Sequence, residues 1–126
     1  MNTIFAGLDV HSKLTSYELQ DKTSKVLAHG QVHTIPEGFE KLASDHKLPR
    51  ATKVGLETGN TSFFVAHILS ALGLEPIVVD AHEVRLKAHR PKQKSDHRDA
   101  HAICTGIRTG WLEGCSHGLH FLRSLK

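Results

Sequence analysis

The chain has 126 residues, of which 39% are hydrophobic and 23% charged, enough for one domain that buries roughly two-thirds of the surface its unfolded form would expose. That balance excludes a disordered chain, and no apolar run approaches the ~20 residues a membrane span needs. A formal charge of +3 and a pI near 9.0 are modest, and Cys104 and Cys115 are too few for a disulfide framework, so reduced thiols and a cytoplasmic location are expected.

The first element is "TIFAGLDV", a nearly continuous apolar run through Asp9. It has the pattern of a strand buried on both faces in the middle of a sheet, and it lacks the basic region and cleavage site of a signal peptide. "TSYELQ" alternates through Tyr17 and Leu19, and "KVLAHGQVH" through Val26, Ala28 and Val32; the polar "DKTS" between them predicts a hairpin. Thr34 and Glu37 have the spacing of a capping box, and Pro36, Phe39, Leu42 and Ala43 predict a helix over about 36 to 47. "KVGLE" reads as a short strand ending on Glu57. "NTSFFVAHILSALG" places Phe64, Ile68, Ala71 and Leu72 on one helical face before a Gly73 stop. "EPIVVD" is a fifth strand, "AHEVRLKA" a short helix opened by Asp80, and "HRPKQK" a loop without periodicity. A last helix from Ser95 to about Arg108 aligns Ala100, Ile103, Cys104 and Ile107, with Gly110 ending it and Trp111 packing against its end. The order predicts an α/β fold with a mixed five-stranded sheet flanked by helices.

Four acids stand out. Asp9 and Glu57 end strands that should run parallel, at the edge of an open sheet where sites form. Asp96 and Asp99 are about 60° apart on the last helix, with Cβ atoms roughly 5–6 Å apart. Their stripe continues through Ala100, Ile103 and Ile107, whereas His97, Arg98, His101, Thr105 and Arg108 tend to point away. A Ser95 cap and the helix dipole account for acids in a first turn, but not for their sharing the sheet-facing stripe. Four carboxylates at one edge repel one another unless cations bind. Hard oxygen donors suit two Mg²⁺ or Mn²⁺ ions, which activate an attacking oxygen and stabilise a leaving oxygen in phosphodiester chemistry. Six of the sixteen Lys and Arg residues fall between Arg85 and Arg98. Of these, Arg90, Lys92, Lys94 and Arg98 are the expected DNA or RNA contacts by charge and position.

"GLDVHSK", "VGLETGN", "VVDAHEVR" and "KSDHRDA" followed by "RTGW", in that order and spacing, resemble the N-terminal domain of the DEDD-type insertion-sequence transposases, the "IS one-ten" family. That domain is similar to the RuvC Holliday-junction resolvase on a ribonuclease H-like fold. The resemblance runs from about residue 4 to 112, giving a catalytic domain over 1–112 and a divergent or truncated tail over 113–126. It implies that Asp9, Glu57, Asp96 and Asp99 are the D, E, D and D ligands of divalent metal. It also implies DNA cleavage and strand transfer during transposition, directed by a structured guide RNA; self-association is left open. In the family a helical region and a second domain with a nucleophilic serine follow, so activity of this chain alone is a separate question.

Three other readings compete. "GLDVHSKLTSYELQD" is similar to the first phosphate loop of actin and sugar-kinase ATPases, which need a second domain. His97, His101 and Cys104 have helical spacing for zinc, without a paired Cys-x-x-Cys. A non-catalytic module retaining nucleic-acid binding or dimerisation is the third.

Overall fold

The computed structural model describes residues 3–80 and 96–112, with the side chains of 96–98 excepted. The short helix expected over 81–88, the loop over 89–94, the Ser95 cap, Cys115 and the tail over 113–126 lie outside the described residues. The elements are β1 (Ile4–Val10), β2 (Leu14–Asp21), β3 (Val26–His33), α1 (Pro36–Asp45), β4 (Lys53–Glu57), α2 (Ser62–Ala71), β5 (Glu75–Val79) and α3 (Asp96–Thr109). The sheet order is β3-β2-β1-β4-β5, so the apolar β1 is central as expected. β1, β2 and β3 pair antiparallel, and β1, β4 and β5 pair parallel.

Local chemistry sets these joins. The β2–β3 hairpin turns on Asp21, whose Oδ1 accepts from the Thr23 amide at 2.8 Å, the Thr23 hydroxyl at 2.6 Å and the Lys25 amide at 3.0 Å. Those bonds, the Thr23 hydroxyl first, hold the exposed Asp21 carboxyl below its ordinary range. The turn also needs Ser24 at φ 77°. Parallel pairing requires crossovers, supplied by α1 between β3 and β4 and by α2 between β4 and β5. Gly73, at φ 86°, stops α2.

Both faces of the sheet are covered. Ala6, Leu8, Leu19, Val54, Leu56 and Val78 pack against Phe39 and Leu42 of α1 and Val65, Ala66 and Leu69 of α2. On the other face Phe5, Ile77 and Val79 meet Ile103 and Ile107 of α3, together with Leu112. The helix comes unusually close there. A Cβ on Gly7 would lie 2.3 Å from the Ala100 carbonyl oxygen and 2.5 Å from the Cys104 nitrogen, and one on Gly55 would meet the Ile107 and Ile103 side chains at 2.5 and 2.8 Å. Among the described residues no helix is long and apolar enough to cross a membrane.

Four expectations are corrected. Thr34 does not cap α1: the N-cap is Ile35, with no side-chain cap bond, because the Thr34 hydroxyl donates to the His11 carbonyl at 2.6 Å. The buried stripe of α2 is Ser62, Val65, Ala66 and Leu69, not the face centred on Phe64, which is 52% exposed. Trp111 is exposed, and Leu112 instead covers the end of α3, its amide bonded to Gly106. Finally, His101, Thr105 and Arg108 do not point away from the sheet. Each bonds to a β2 side chain.

Candidate active site at the carboxyl edge of the sheet

Because β1, β4 and β5 run parallel, their carboxyl ends share one edge. Asp9 and Glu57 each follow the last β1–β4 pair, Leu8 with Leu56, by one residue. They are therefore neighbours on strands about 4.8 Å apart, and by the alternation of side chains they share the face that carries α3. Asp9 is buried at 6% exposure, and Glu57 is half-buried. A carboxylate ending a buried strand is costly unless polar partners or a cation meet it. One partner is His11, whose Nε2 lies 2.9 Å from Asp9 Oδ2. The turn bearing His11 is held by the Thr34 hydroxyl, which also bonds the Thr15 hydroxyl at 2.8 Å. Sequence reasoning missed this contact, although the i, i+2 spacing of Asp9 and His11 contains it.

The direction of α3 brings its first turn to the same edge. Cys104 Sγ bonds the Phe5 carbonyl at 3.2 Å, and Gly7 lies beneath Ala100 and Cys104. Moving from Phe5 toward Asp9 thus moves toward the N-terminus of α3. Two more strand residues advance about 6.6 Å, or roughly four helical residues, which sets Asp9 opposite the turn holding Asp96 and Asp99. Asp99 is half-buried. Asp96 begins the helix, and its side chain lies outside the described residues. Among those described, no three His, Cys, Asp or Glu side chains are grouped to hold a metal ion. The donor chemistry nevertheless fits a hard divalent cation, since Asp9, Glu57 and Asp99 are all carboxylates at one edge.

Deeper under α3 lies a polar network that sequence reasoning also missed. Glu18 and Gln20 of β2 are each 1% exposed. Glu18 Oε2 accepts from Gln20 Nε2 at 2.6 Å and from His101 Nδ1 at 2.5 Å. Gln20 Nε2 also donates to the Thr105 hydroxyl at 3.0 Å, and Arg108 Nε donates to Gln20 Oε1 at 2.8 Å. Alternation around Tyr17 and Leu19 had marked only one face of β2 as buried. Burial pushes the neighbouring Cys104 thiol up to about 12, with Glu18 adding to the shift. With its buried thiol bonded to the Phe5 carbonyl and held protonated, Cys104 is lost to the zinc alternative as a ligand. Arg90, Lys92 and Lys94 lie outside the described residues, as does the side chain of Arg98, which follows Asp96 on α3.

Comparison with known proteins places this geometry in context. The family model of the IS110 ("IS one-ten") DEDD transposases, described as Transposase, matches residues 6–117. Among solved structures, the chain is similar to T. thermophilus RuvC in complex with Holliday junction substrate. The TM-score is 0.54 at 12% identity, over 90% of this chain and 99% of that one. The fold is accordingly RuvC-like, within the ribonuclease H-like class. No curated protein matches the chain in sequence.

Proposed function

The chain belongs to the DEDD transposases of the IS110 type, and from that premise we propose that it is their metal-dependent catalytic domain, acting on DNA phosphodiesters in cleavage and strand transfer. What supports the reading is that two parallel strands carry acids at one carboxyl edge, Asp9 and Glu57, and that α3 runs toward that edge with its N-terminal turn, which bears Asp96 and Asp99. These four residues would hold one or two Mg²⁺ or Mn²⁺ ions. Such ions supply charge stabilisation for the attacking and leaving oxygens of a phosphodiester. The protein's own contributions are positional. His11 orients the Asp9 carboxylate, Thr34 fixes the turn that carries His11, and Leu8 and Leu56, buried on the α1 and α2 face, with Val79, buried on the α3 face, keep the strand ends rigid. Arg90, Lys92, Lys94 and Arg98 complete the proposal as contacts to the nucleic-acid backbone, which neutralise phosphates beside the acids. DNA as substrate is consistent with the Holliday junction bound by the structural neighbour. Guidance by a structured RNA, which the family resemblance implies, belongs to the same proposal.

The test is cleavage of a branched DNA by the purified chain in Mn²⁺, beside gel-shift binding of the same DNA. Cleavage by the wild type, reduced more than about a hundredfold in Asp9→Asn and Asp99→Asn with binding retained, is the expected result. Binding without any cleavage by the wild type would instead leave a nucleic-acid-binding module.

A further inference from the structure

Resting on the reading above, we propose that Glu18 and His101 are a positioning pair that fixes the rotation of α3 and so the place of Asp99 and Asp96 opposite Asp9. The pair is not itself at the reacting edge. Glu18 stands across from Gly7, two rungs along the ladder from the Ser16–Asp9 pair, which separates it from Asp9 by roughly 7 Å along the strands.

Apolar contacts alone seat α3 loosely in one respect. Gly7 and Gly55 let the helix approach the sheet, and Ile103 and Ile107 bury against Val79, but non-directional packing resists rolling about the helix axis weakly. Directional bonds resist it. His101, Thr105 and Arg108, at i, i+4 and i+7 along one side of α3, hook onto Glu18 and Gln20, two successive residues on the same face of β2. Valine or isoleucine at 18 and 20 would bury as well without desolvating a carboxylate and an amide. Buried polar groups of this kind, fully bonded, specify one arrangement at some cost in stability. Among the described residues no buried side-chain polar atom is left without a partner, so the network meets that condition. His101 is the link closest to the acids, two residues after Asp99. A roll of about 20° moves a side-chain root on the helix surface by roughly 1 Å, which is large against a metal–oxygen distance of about 2.1 Å.

The experiment is a Mn²⁺ titration of the melting temperature of the full chain, with the metal-free melting temperature measured in parallel. In His101→Leu the half-saturating Mn²⁺ concentration should rise about tenfold, as when groups supporting metal ligands are removed. His101→Asn, which keeps a donor where Nδ1 stands, should recover most of it. Glu18→Gln, of the same shape and without the buried charge, guards against a His101→Leu variant that does not fold, and should also raise the half-saturating concentration. Unchanged half-saturation in the folded variants, whatever happens to metal-free melting, makes the pair merely structural and overturns the inference. A wild type that does not respond to Mn²⁺ at all overturns the metal reading itself, and the pair's role with it.

Discussion

Cys104 offers a residue-scale check on the seating of α3. With the thiol pushed up from its ordinary value of 9.0 to about 12 by burial, the thiolate needed for alkylation is scarce in the folded chain. Iodoacetamide at pH 8 should label Cys104 only after denaturation, as read by peptide mass spectrometry. The sign of the pH dependence follows from the raised value. Below about pH 9 the thiol is protonated in both states and has no effect. As pH rises from 9 toward 12 the unfolded chain loses this proton first, so stability falls through that window. A second residue-scale prediction concerns the proposed backbone contacts: replacing Lys92 and Lys94 with Gln should weaken DNA binding uniformly across sequences and lower the salt slope by about 2, measured by fluorescence anisotropy against salt. At this scale Asp9 and Glu57 were legible as acids at strand ends, because a charge there conflicts with the apolar pattern around it. Glu18 was not, because a polar residue alternating with Tyr17 and Leu19 looks the same whether solvent or a helix covers it.

The elements differ in how they tolerate change, and the glycines under α3 show it. Gly7→Ala sets a Cβ against helix backbone that cannot yield, so a loss of about 3 kcal/mol is expected. Gly55→Ala meets the ends of the Ile103 and Ile107 side chains, which can rotate, and about 1 kcal/mol should suffice. Urea denaturation of the two variants separates the cases. On α2, Leu69→Ala should cost about 2–5 kcal/mol and Phe64→Ser less than about 0.5 kcal/mol, the reverse of what a stripe through Phe64 implies. That stripe was misread because α2 is apolar nearly all round, so periodicity fixed the helix but not its facing. Element identity and order were legible throughout the described residues: the central apolar strand, the polar hairpin turn and the Gly73 stop each follow from local chemistry. Contacts between elements were not. The redirection of the Thr34 hydroxyl to the His11 carbonyl and the ties from β2 to α3 depend on residues distant in sequence.

At the scale of the whole molecule, helices cover both faces of one sheet, and Asp9 and Glu57 stand at the carboxyl edge of its parallel strands. Leu112, 5% exposed, is packed with Ile103, Ile107 and Val79, and we propose residues 1–112 as the folding unit. A chain ending at 112 should therefore melt cooperatively within a few degrees of the full chain, as followed by circular dichroism. The central claim is that Asp9, Glu57, Asp96 and Asp99 converge to hold divalent cations. Anomalous scattering from crystals of the chain grown in millimolar Mn²⁺ tests it most directly. The account predicts at least one Mn²⁺ peak within about 2.5 Å of carboxylate oxygens from both the strand ends and the first turn of α3. A Mn²⁺-saturated crystal with no peak at that edge, or with Asp96 and Asp99 turned away from Asp9, would contradict it.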